Sequence, residues 1–190
     1  MLRQVSGPAS RGFTLVELTV VISLLGILFA IAAPSMSGYI INQKVRTAAN
    51  SIQNGLQLAR TEAVKRNQSV GFVLTAATPT TCSVTPSATG TNWVVRVEDC
   101  SITTPIQGKS KSEGTTNVTI SVTDNSTAFA NSIVFNGLGR LVTAPSTNNG
   151  IFIDVTSTNA TRAMRIIVTG LGQIRMCEPG LVSTNLQSCS

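Results

Sequence analysis

Apolar residues run almost unbroken from Phe13 to Ala33, with Thr14, Glu17, Thr19 and Ser23 as exceptions. At about 1.5 Å of rise per residue, a helix over this run is about 30 Å long, the thickness of a bilayer's hydrocarbon core. Past Pro34 the period changes. Ile41, Val45, Ala48, Ile52, Leu56, Ala59 and Ala63 recur at steps of three or four, while Lys44, Arg46, Arg60, Lys65 and Arg66 fall mostly off that stripe. The pattern predicts one long helix over 13–66. Its first part, 13–33, is a transmembrane segment. Its second part, 34–66, is amphipathic and lays one face on a globular domain. Gly55 weakens the helix locally without breaking it.

Beyond residue 67 the period shortens again. β-Branched runs alternate with Thr, Ser, Gly, Pro and Asn, and predict strands at 69–75, 92–98, 117–123, 132–136, 150–156, 162–169 and 172–176. Val118, Ile120 and Val122 alternate with Thr119, Ser121 and Thr123, as in a strand with one buried face. Thr169 to Gly172, "TGLG", reads as a hairpin turn. Segments 76–91 and 101–116 read as loops. The fold class is therefore α+β: the long helix packed on an antiparallel, sandwich-like β-domain over 67–190.

Composition narrows the chemistry. The chain has no histidine and only eight carboxylates, which removes Ser-His and Cys-His arrangements and the commonest general base. No glycine-rich phosphate loop follows a predicted strand. An enzyme is not expected, nor is a cofactor or a metal. Four cysteines, Cys82, Cys100, Cys177 and Cys189, fit two disulfides in an oxidising compartment. Nearest-neighbour pairing, Cys82–Cys100 and Cys177–Cys189, is preferred among three possible connectivities. The short leader, 1–12, carries Arg3 and Arg11 and no acid, which holds that end on the cytoplasmic side and sends the cysteines outward.

A secretory signal explains neither the length of the apolar run nor its unbroken passage into a helical pattern. A plain membrane anchor does not explain Glu17, because a carboxylate in lipid needs a partner. The segment "RGFTLVEL" at 11–18 resembles the class III signal of type IV pilins and pseudopilins. The resemblance implies cleavage of a leader, 1–12, by a prepilin peptidase between Gly12 and Phe13, and N-methylation of Phe13. It implies that Glu17 pairs with the terminal amine of a neighbouring subunit during assembly, which gives the buried carboxylate its counter-charge. Pro34 falls where this family has a helix-bending proline. "SIVFNGLGR" at 132–140 and "VTGLGQIRMC" at 168–177 resemble the GspH/FimT branch of minor pilins and pseudopilins. That branch implies low-copy subunits that prime a fibre. Such a chain starts as a single-pass protein of the bacterial inner membrane with its C-terminal domain periplasmic. It then enters a pilus or a type II secretion pseudopilus by way of the membrane assembly platform and other pilin subunits.

The late basic residues suggest a further partner. Net charge is +6, and Arg140, Arg162, Arg165 and Arg175 lie among few acids. Arginine suits phosphate because its planar fork donates paired hydrogen bonds. Some FimT-like pilins bind DNA for natural transformation through a glycine, arginine, any residue, arginine pattern. Here Gly172, Gln173, Ile174 and Arg175 occupy it, so the first arginine is replaced by an uncharged hydrogen-bonding residue. Gln173 and Arg175 are two apart on a predicted strand and share a face. Any DNA contact is expected to be to the backbone of the duplex, independent of sequence and sensitive to salt.

Overall fold

The computed structural model describes residues 12–113, 116–125, 127–129, 131–146 and 150–189, with 31–37 described for backbone alone. The leader before Gly12 and any bend at Pro34 lie outside what is described. Two compact units are present, Met1–Ser37 and Gly38–Ser190.

The helix α1 spans Leu15–Arg66. Its stop is local chemistry. Asn67 takes a left-handed conformation, φ 52°. Its N–H donates to the carbonyl of Val64 at 3.3 Å and that of Gln68 to the carbonyl of Ala63 at 3.2 Å. These are the two bonds of a Schellman cap, and asparagine tolerates the left-handed angle. Lys65 and Arg66 in the last turn suit the negative end of the helix.

In the second unit the described residues form nine strands: β1 (Val70–Thr75), β2 (Asn92–Val97), β3 (Gln107–Lys109), β4 (Thr119–Asp124), β5 (Thr127–Ala128), β6 (Ile133–Phe135), β7 (Ile151–Thr156), β8 (Met164–Val168) and β9 (Ile174–Cys177). They make two sheets, ordered β3-β2-β1-β6 and β5-β4-β7-β8-β9, and each pairing is antiparallel. The α+β class read from the sequence is the observed one. β3 falls inside a segment expected to be a loop, and β5 was not expected at all. Both are short edge strands, "QGK" and "TA", with no apolar face to alternate with a polar one.

One core joins the helix and both sheets. Val45, Ala48, Ala49, Ile52, Leu56, Ala59 and Ala63 meet Phe72 and Trp93 of the first sheet and Ile120, Ile153 and Ile166 of the second. Gly55 has its reason here. A Cβ on it would lie 2.7 Å from the ring of Phe72 and 3.2 Å from that of Trp93. The two rings pack at 5.7 Å between centroids, and the Trp93 indole N–H donates to Ser51 Oγ at 3.1 Å. The first sheet is buried on its other face too, where Val73, Val84 and Val94 form a second cluster. The loop over that face is held by the Cys82–Cys100 disulfide and by Arg96, which donates to the carbonyls of Cys82 and Val84. On the outer face of the second sheet Asp154 and Arg165 are half-buried, Ile167 and Cys177 are buried, and Arg175 is exposed.

Candidate functional site

The N-terminal segment starts from a capping motif. Thr14 Oγ1 accepts the N–H of Glu17 at 3.2 Å, and the carbonyl of Thr14 accepts that of Leu18 at 3.1 Å. Threonine at the cap with glutamate three residues later is a strong helix start, and a carboxylate there also favours the positive end of the helix. The cap fixes where the helix begins, directly after Gly12 and Phe13. The other polar exceptions in the run satisfy themselves: Thr19 Oγ1 donates to the carbonyl of Val16 and Ser23 Oγ to that of Thr19. Glu17 is different, since no ion pair reaches its carboxylate among the described residues. Every residue from Gly12 to Ala30 is exposed, Phe13 at 86%. Among the described residues no helix is long and apolar enough to cross a membrane; side chains of the run are described only through Ala30.

The four arginines lie in different settings. Asp154 on β7 stands opposite Arg165 on β8 in the strand register. Arg165 makes a two-pronged bond to it, Nε to Oδ1 at 2.7 Å and Nη2 to Oδ2 at 2.9 Å, and its guanidinium lies 5.0 Å from the centre of the Phe152 ring. The hydrogen bond to Asp154 raises the Arg165 pKa further above its ordinary value. Arg162 lies 3.7 Å from the carboxylate of Glu178, which is itself buried. Arg165 and Arg162 therefore each face a carboxylate before any ligand arrives.

Arg175 is exposed on β9, across from Ile167, with Nη2 donating to the carbonyl of Cys189 at 3.3 Å. Ile174 and Met176 alternate with it and pack on the core, so Arg175 and the neighbouring Gln173 share the solvent face. The tail is fastened to this strand by the Cys177–Cys189 disulfide and by the Glu178 N–H donating to the carbonyl of Gln187. Both disulfides are those preferred from spacing. Arg140 is exposed in the turn after β6 and lines one depression of about 640 Å³ with Gln173. The register puts Arg165, across from Cys177, on the same outer face as Arg175, across from Ile167; Arg140 joins Gln173 on the depression, and Arg165 and Arg162 face Asp154 and Glu178. Sequence reasoning missed Asp154 and Glu178 as partners. Alternation placed Asp154 on the outer face of its strand, but only the register shows which arginine it meets.

The family model described as type II transport protein GspH matches residues 48–172. The prokaryotic N-terminal methylation motif matches residues 8–33. The chain is 33% identical over 127 residues to Fimbrial protein EcpC of Eikenella corrodens, covering 62% of this chain and 80% of that protein. Among solved structures, the type IV minor pilin FimU of Pseudomonas aeruginosa superposes with a TM-score of 0.50 at 17% identity, over 78% of this chain and 96% of that one. The minor pseudopilin EpsH of Vibrio cholerae gives 0.47 at 12% identity, over 73% of this chain and 99% of that one. The family match stops at Gly172, short of Gln173 and Arg175.

Proposed function

The chain belongs to the GspH family of pilin-like proteins, structural subunits rather than enzymes that assemble with other pilins or pseudopilins, and on that premise we propose that it is a FimT-like minor pilin that primes a type IV pilus. The observation that carries this is the N-terminal helix: capped at Thr14, exposed from Gly12 to Ala30, with Glu17, among the described residues of the run, the one polar side chain left without a bond inside its own helix. A surface of that kind is stable only against lipid or against other such helices. In this reading the prepilin peptidase cuts between Gly12 and Phe13 and Phe13 is methylated. The segment 13–33 holds the chain in the inner membrane until the assembly platform draws it into the fibre, and Glu17 meets the terminal amine of a neighbour. The fimbrial relative supports a pilus over a secretion pseudopilus. Two substitutions test it. Gly12→Glu is expected to leave uncut precursor, and Glu17→Ala to be cut normally yet stay out of the fibre. Normal processing of the first, or normal fibre entry of the second, overturns the reading.

DNA contact is a second reading, supported by the shared solvent face of Gln173 and Arg175 with Arg140 nearby. It centres on Gln173 and Arg175 at the β8–β9 hairpin and on Arg140, which lines the same depression as Gln173. Two cationic residues give a shallow salt dependence, far below that of a protein with many phosphate contacts. The test is titration of short duplex DNA onto residues 38–190, which hold the whole described core, at two salt concentrations. Salt-sensitive binding that falls with Arg175→Glu supports it. Absence of binding at low salt removes it.

A further inference from the structure

Two Gly-Leu-Gly turns meet at one end of the molecule's second unit. Gly137–Leu138–Gly139 follows β6, and Gly170–Leu171–Gly172 joins β8 to β9. Both final glycines have positive φ, 72° and 78°. A Cβ on Gly172 would collide with the carbonyl oxygen of Gly139, so the backbones are in contact at a point where only glycine fits. The turns are pinned from several directions. Asn136 Oδ1 accepts the N–H groups of Leu138 and Arg140 at 3.0 and 3.1 Å. Leu141 N–H donates to the carbonyl of Gly170 at 3.1 Å, and Arg60 Nε, from α1, donates to that of Gly139 at 3.1 Å.

A backbone held this firmly presents its leucines outward. Leu138 is 79% exposed and Leu171 67%, with Val142 also exposed beside them on the same depression of about 640 Å³. Single exposed leucines are ordinary; a cluster on a preorganised backbone marks a contact surface, because little entropy remains to be lost on docking. Among the described residues no acid lines the depression, and Arg140 stands in it. Among the same residues no aromatic side chain lines it, so they offer no platform for stacked bases.

We infer that the paired Gly-Leu-Gly turns are a docking surface for the globular domain of another pilin-family subunit, one that presents apolar side chains beside a carboxylate. The leucines supply the buried apolar contact and Arg140 selects the acidic partner at its rim. This rests on the reading of the chain as a fibre subunit.

The test uses the full chain in cells that make the fibre. A photo-crosslinking residue replaces Leu138 or Leu171. Light is expected to give an adduct whose second polypeptide is identified, by its N-methylated phenylalanine terminus, as a pilin-family subunit. In parallel, Leu138→Asp with Leu171→Asp is expected to lower the fibre-associated fraction about thirtyfold, the size of a hot-spot loss, with processing and disulfides unchanged. Arg140→Glu is expected to lower it less. A double variant that enters the fibre like wild type overturns the inference, as do adducts to DNA, to lipid or to nothing. If the wild-type chain never enters a fibre, the reading as a fibre subunit falls, and the crosslink at Leu138 still decides the patch.

Discussion

Leu25 and Leu56 lie on the same helix, yet Leu25 is 46% exposed and Leu56 is fully buried. The difference runs through their neighbourhoods. Around Leu56, every third or fourth residue is buried against strands of the same chain, and the residues between are mostly polar, Gln53, Asn54, Gln57 and Arg60 among them. Around Leu25 no face is favoured, and leucine, valine and isoleucine surround the axis. The two regions teach where each part finds its solvent. A helix with one apolar stripe is completed by its own fold, whereas one apolar on all sides is completed by other molecules.

Paired truncations break this comparison most directly. Leu56→Ala removes buried methylenes from a packed core and is expected to destabilise the second unit by about 2–5 kcal/mol. Leu25→Ala removes the same atoms from an exposed position and is expected to change unfolding of that unit by less than about 0.5 kcal/mol. Denaturant titration of the full chain in detergent, followed by Trp93 fluorescence, reads both. Comparable losses from the two would mean that the first half is held by the domain after all.

Gly55 sharpens the comparison from inside the buried half. On an exposed helix, glycine to alanine adds about 1 kcal/mol of stability. Here the new methyl would press on the Phe72 ring, which is buried and stacked on Trp93, so it cannot swing aside. Gly55→Ala is therefore expected to destabilise by about 1–3 kcal/mol, the usual range for overpacking. Gly26, with open space around its Cβ position, provides the contrast: Gly26→Ala is expected to leave the unfolding of the second unit unchanged. A stabilised Gly55→Ala in thermal unfolding would mean that helix and sheet are less closely packed than described.

These residues also show what was legible in the chain. The long helix was, because its stripe has a period the fold must honour, and so were the strands whose β-branched residues alternate with polar ones. Glu17 stood out because a charge inside an apolar run needs a reason. What stayed hidden depends on distant pairing. The purpose of Gly55 lies in rings 17 and 38 positions further along the chain, as the difference of residue numbers shows. The settings of Arg162 and Arg165 depend on how β7, β8 and the tail line up, and a slip of one residue would have moved Asp154 to the other face. β3 and β5 carry no periodic signal because edge strands with few apolar residues have no inner face to write into the sequence.

The smallest expected effect lies at the end of the buried half. Glu62 is buried beside that end, and Arg66 Nε donates to it at 2.6 Å, with Lys65 at 3.4 Å. The Arg66 hydrogen bond is the main reason its pKa lies below the ordinary 4.5; burial opposes the shift, and the charges of Lys65 and Arg66 reinforce it. A folded-state pKa below the unfolded one fixes the sign. The stabilisation is fully present above about pH 4.5 and is lost as pH falls through the lower folded value. Pairs at this helical spacing contribute about 0.3–0.5 kcal/mol. Glu62→Gln is expected to be less stable than wild type by about that amount near pH 7. The gap should close as pH falls through the lowered folded-state pKa, below which the wild-type carboxyl is protonated and matches the amide. It should also shrink in high salt. A gap that persists unchanged at low pH would mean that Glu62 holds the helix end through packing and neutral hydrogen bonds rather than through its charge.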